Sequence, residues 1–152
     1  MLKSLSLGLA IAIGIAALAN GLVMLVTPLG WYDSVPGVPT SGPFNQHFIR
    51  DIGMIFLLVG ASFLTGVARP RLRIALWAVP TFWLSGHALF HLWEVAAGIS
   101  THSAMARDFP AVTLPALIAI ALTVWAWENR PESTAGSLGG RGPATPRDHQ
   151  PG

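Results

Sequence analysis

The sequence predicts an all-α protein: a bundle of four transmembrane helices followed by a disordered C-terminal tail. Three observations carry that expectation. Of the 152 residues, 52% are hydrophobic and only 11% are charged, whereas soluble domains carry about 25% charged residues. The mean hydropathy of +0.55 therefore belongs to a chain that exposes apolar surface to lipid. The apolar residues fall into four runs, each near the roughly 20 residues of helix that a hydrocarbon core about 30 Å thick requires. The basic residues gather on one side of those runs. The length leaves room for one compact domain, with residues 1–129 as the bundle and 130–152 as the tail.

The first run covers residues 5–29. Lys3 precedes it, and the "ALA" at Ala17 to Ala19 has the look of a signal-peptide cleavage site. Apolar residues continue through "GLVMLVTPLGW", however, which is too long for a signal core and long enough to span, so the helix is expected to stay uncleaved. The second and third runs cover 48–68 and 72–97. The fourth, 111–127, is the shortest and contains Pro115. Turn-forming residues separate the runs: "TPLGWYDSVPGVPTSGPFN" holds four prolines between Pro28 and Pro43, "ARPRLR" makes a tight turn, and "GISTHSAMARDFP" closes the third gap.

Lys3, Arg69, Arg71, Arg73, Arg130, Arg141 and Arg147 fall on one side of this layout, and Arg50 and Arg107 on the other. The positive-inside rule then places both termini in the cytoplasm of a bacterial-type inner membrane. Trp31, Tyr32 and Trp93 are expected at the outer interface and Trp77, Trp125 and Trp127 at the inner one, where amphipathic rings prefer to lie. From Pro131 onward Gly, Pro, Ser and Thr dominate and little remains to bury, which predicts disorder. A lipid bilayer is the partner this composition demands, with a homo-oligomer or a further membrane protein open beside it. Nothing in the sequence points to nucleic acid.

The chain has no cysteine, so thiolate metal sites, iron–sulfur clusters and dithiol chemistry are excluded. Any chemistry must come from His, carboxylates or Arg, and these concentrate in two stretches. "SGHALFHLWEVAAG" puts His87, His91 and Glu94 on one helical face at i, i+4 and i+7. At about 1.5 Å per residue, His87 lies roughly 20 Å above Arg73 and His91 about 27 Å above it. "FNQHFIRDIG" places His47, Arg50 and Asp51 on one face of the second helix at the same outer level. Asn20, roughly 23 Å along the first helix, reaches a similar depth.

Ionisable groups inside membrane helices are costly unless they face the bundle interior and pair, so an outward-opening polar site is expected here. His47, Asp51, His87, His91 and Glu94 together offer three imidazoles and two carboxylates, a donor set that suits a divalent transition metal: zinc, copper or iron. Arg50 and Asn20 would support it. Two other readings use the same residues: a hydrogen-bond network that fixes helix register, and a metal-free His/carboxylate site that transfers protons on a lipid-like or quinone-like molecule. An apolar cavity leading to His91 is the feature that would favour the last. The long proline-rich segment before His47 could cover such a site as a stiff lid.

The first run, "GLAIAIGIAALANGLVMLVTPLGWY", with a glycine-rich start, an apolar stretch and then Pro and an aromatic pair, resembles the opening of small bacterial four-helix membrane proteins of the DoxX-like type. That resemblance implies the four-helix layout and a link to redox or stress-related membrane functions. It implies no catalytic residue.

Overall fold

The computed structural model describes residues 1–131; the expected tail lies, beyond Pro131, outside the described residues. Its elements are α1 (Leu2–Val26), α2 (Pro28–Ser34), α3 (Val38–Ser41), α4 (Gln46–Ala68), α5 (Arg73–Ala96), α6 (Ser103–Asp108), a π-helical turn (Phe109–Thr113) and α7 (Leu114–Glu128). The described chain is helical, with no strands among those elements. Three helices are long and apolar enough to cross a membrane: α1, α4 and the continuous helix Ser103–Glu128, which has 26 residues. At 24 residues α5 is as long, but its His, Glu and Arg residues leave it less apolar.

Two differences from the expected bounds involve proline. α1 stops at Val26 because Thr27 leaves the helical region and Pro28 opens α2 instead of extending the span. The segment "THSAMARDFP", expected as a loop, is largely helix. Pro110 lacks an N–H and would normally break an α-helix, but here it occupies the start of the π-helical turn. The wider i→i+5 pattern absorbs the missing donor and lets α6 run into α7.

α1 packs chiefly on α4, α4 on α5, α5 on α7, and α7 back on α1, while the backbones of the diagonal pairs do not approach closely. The four long helices thus form a ring in which sequence neighbours are spatial neighbours. The α1–α4 contact is set by two glycine pairs. A Cβ on Gly21 would lie 2.6 Å from the Gly53 carbonyl oxygen, and one on Gly60 would lie 2.6 Å from that of Gly14. Antiparallel helices with glycines seven apart on each bring their backbones together twice, the close approach small residues permit in membranes. On α1 the partners are Gly14 and Gly21, while Gly8 faces open space.

The core joins Ala10 and Ala17 of α1, Val59 and Phe63 of α4, Trp77 and Leu84 of α5, and Ala119, Leu122 and Trp125 of α7. Trp77 is fully buried, lies over Gly66 and donates its indole N–H to the Phe63 carbonyl at 3.1 Å. Trp77 and Trp125 are therefore core residues and not interface anchors. Of the expected inner aromatic belt, Trp127 alone is exposed. Thr123 pairs with the Thr81 hydroxyl at 2.8 Å and so links α7 to α5 instead of bonding within its own helix. Outward, Leu58, Val79, Phe82 and Leu89 are well exposed, an apolar exterior compatible with a lipid bilayer.

Two arginines close the ends of the preceding helices. Arg50 Nε donates to the Leu25 carbonyl at 3.1 Å, at the C-terminus of α1. Arg73 Nε and Nη2 donate to the Gly66 and Val67 carbonyls at 2.9 and 3.1 Å, at the C-terminus of α4. Carbonyls of a last helical turn have no intrahelical partner and carry the negative end of the helix dipole. A guanidinium from the following helix satisfies both needs.

Candidate functional site

At the end of the bundle opposite Arg73, the C-terminal half of α5 faces α6 and the π-helical turn. α5 ends in a Schellman arrangement: Gly98, at φ 73°, allows its own N–H to reach the Val95 carbonyl and the Ile99 N–H to reach that of Glu94. The chain then reverses into α6, which places Asp108 beside His91.

A continuous polar and aromatic chain results. Trp83 and His87 stack almost parallel, 5.3 Å between ring centroids, and His87 meets His91 edge to face at 4.7 Å. His91 Nδ1 is 3.1 Å from Asp108 Oδ2. The Arg107 Nε–H donates to Asp108 Oδ1 at 2.6 Å, and its Nη2 donates to Oδ2 at 3.1 Å. Arg107 in turn lies against Gly37, where a Cβ would overlap the guanidinium carbon. Gly37 has φ 90° and forms the turn between α2 and α3, so the proline-rich segment is held over this end of the bundle through Arg107. Asn20 helps hold it, since its side-chain oxygen accepts the Trp31 indole N–H at 2.9 Å. Trp31 is thereby tied to the bundle. The Tyr32 hydroxyl closes the segment internally by donating to the Gly42 carbonyl at 2.7 Å.

Beside this chain lies a cleft of about 260 Å³ between α5 and the α6–α7 helix. Leu92, Val95, Ala104, Met105 and Phe109 form its apolar walls, Thr113 closes one side, and His91 and Asp108 supply its ionisable groups. The two side chains are 30% and 15% exposed, so the pair meets whatever enters the cleft while staying largely out of bulk water. In the tautomer whose Nδ1–H donates to Asp108, Nε2 is the ring's remaining acceptor. An imidazole oriented by a carboxylate in this way is equipped to take up and return a proton.

The residues expected from sequence separate into distinct settings. His87 and His91 share one face of α5, as their spacing predicted. Glu94 is half-buried on the same helix, and its carbonyl accepts the closing bonds of the α5 terminus. His47 and Asp51 pair with each other at 3.2 Å on α4, with side chains 88% and 45% exposed. Arg50 bonds to the α1 terminus, and Asn20 to Trp31. The five-residue set His47, Asp51, His87, His91 and Glu94 is thus not gathered at one point. Among the described residues no three His, Asp or Glu side chains stand in an arrangement that could hold a metal ion.

Asp108 and Arg107 are the site residues that sequence reasoning missed. Asp108 was read as part of a connector because Pro110 follows it closely. The available signal was the run of good helix formers Ala104, Met105, Ala106 and Arg107 leading into the fourth apolar run, with an acidic residue at the junction. Comparison with known proteins adds no relative: no family model matches the chain, and no match was found among curated proteins or solved structures.

Proposed function

We propose that this protein is a four-span bundle of a bacterial-type inner membrane that binds an amphiphilic small molecule, lipid-like or quinone-like, in the α5/α6–α7 cleft. In this reading α5 is the fourth span. Its lower apolarity fits a helix whose polar face lines a site, because ionisable residues in membrane helices mark functional paths. The excess of Lys and Arg at the Arg73 end supports cytoplasmic termini and an outward-facing cleft.

One observation carries the reading: an apolar cleft whose ionisable lining is a carboxylate-oriented imidazole. Ligand pockets are largely apolar, with few polar groups fixing orientation. A volume of about 260 Å³ is near the lower bound of such sites, roughly 300 Å³. It suits a single ring or a short acyl segment, with the remainder of the molecule extending into lipid. His91 Nε2 would exchange a proton with a hydroxyl or carbonyl of the bound head, and Asp108, held by Arg107, would keep the ring oriented and stabilise its charged form. The register-network reading has less to carry it here, because Arg50 bonds to the α1 terminus and His91 to a carboxylate that borders the cleft.

Photoaffinity labelling with a diazirine-bearing short-chain benzoquinone tests the proposal on protein reconstituted in lipid. Labelling concentrated on residues 92–113, and competed by unlabelled quinone, is the expected result. Labelling spread evenly along the lipid-facing sides of α1, α4 and α7 would contradict it.

A further inference from the structure

The Arg73 end of the bundle holds a second concavity. Lys3 in the first turn of α1, Pro70 in the α4–α5 turn, Arg73 at the start of α5, Trp125 and Asn129 at the end of α7, and Pro131 enclose about 270 Å³. Two cations, a carboxamide and an indole thus meet in one pocket, and among the described residues no carboxylate lines it. None of the ion pairs among the described residues uses a basic residue of this end.

Arg73 is the informative member. It is only 8% exposed, and its guanidinium is fixed on two sides: Nε and Nη2 by the α4 carbonyls, and its plane by the Trp77 and Trp125 rings, at 5.4 and 5.6 Å to their centroids. Nη1 bonds to no other described residue, and Arg73 lines the pocket. A guanidinium already held in place loses little further freedom on binding. Its remaining N–H groups present donors of the kind that recognise phosphate oxygens. Lys3 adds an exposed ammonium as a second charge.

We propose that this pocket binds a phosphate-bearing anion, with Arg73 as the fixed donor, Lys3 as the closing cation and the Asn129 amide as an additional donor. The phosphate can come from the headgroup of an anionic phospholipid or from free inorganic phosphate, since both offer the same oxygens. Nothing in this inference depends on the His91 cleft.

Native mass spectrometry of the full chain in neutral detergent, titrated with phosphatidylglycerol, phosphatidylcholine or inorganic phosphate, tests it. Saturable binding of phosphatidylglycerol at one site is expected, favoured about tenfold over phosphatidylcholine. The Lys3→Gln substitution is at an exposed residue and should weaken it about fivefold, the factor one cation at a membrane surface supplies. Arg71→Gln removes a cation of the same end outside the pocket and should leave binding nearly unchanged. Inorganic phosphate that binds with the same Lys3 dependence would identify free phosphate as the source, whereas lipid binding that phosphate does not compete would identify the headgroup. Equal affinity for the two lipids with no phosphate binding would overturn the proposal. So would equal losses in Lys3→Gln and Arg71→Gln, because attraction to the surface as a whole would then explain the preference.

Discussion

The chain holds two histidine–aspartate pairs of nearly equal length, His47–Asp51 at 3.2 Å and His91–Asp108 at 3.1 Å, in opposite surroundings. The first joins neighbours on one turn of α4 and is open to its surroundings. The second joins α5 to α6, is largely buried, is braced by Arg107 and borders an apolar cleft. Chemical identity and separation are shared, so the difference in what the pairs can do comes from burial, bracing and access. An exposed pair gains little because water or headgroups compete for both partners. A shielded pair fixes a ring, and a fixed ring beside a cleft can act on a ligand.

The largest effect should come from removing the shielded carboxylate. Asp108→Ala leaves the partly buried His91 and the exposed Arg107 without their acceptor, which should cost about 2 kcal/mol in denaturant unfolding from detergent micelles. A double-substitution cycle sharpens the contrast. Coupling between His91 and Asp108 should reach about 1–2 kcal/mol, against about 0.3 kcal/mol between His47 and Asp51. Similar couplings would show that burial does not separate the pairs. Gly37→Ala places a side chain at φ 90° and against Arg107. It should destabilise the chain by about 1 kcal/mol and increase proteolytic cleavage between α2 and α3, the segment that Arg107 holds down. Asp51→Ala should cost the least, below about 0.5 kcal/mol.

Much of the scaffold was legible in the sequence because apolar length along the chain dictates where helices form. α4 and α5 begin and end within two residues of their expected bounds, and the i, i+4 spacing correctly put His87 and His91 on one face. Partner choice was not legible, since it depends on which helices adjoin. Arg50 read as a supporting residue of the polar site and Arg73 as a turn-side charge, but each turns back to close the carbonyls of an earlier helix. Trp77 read as an interface ring, but its N–H reaches Phe63 and Gly66 makes room beneath it. Asp108 was hidden because Pro110 normally ends a helix, and only the π-helical turn lets the chain carry that carboxylate up to His91.

The most direct test of the central claim is to titrate a short-chain benzoquinone into the purified protein, with wild type, His47→Ala and His91→Ala measured side by side by tryptophan quenching. The account predicts saturable binding that His47→Ala leaves unchanged and His91→Ala weakens about tenfold, the effect of losing one well-placed polar contact in a largely apolar pocket. Equal binding in all three proteins, or equal weakening by both substitutions, would contradict the assignment of the cleft to His91 and Asp108.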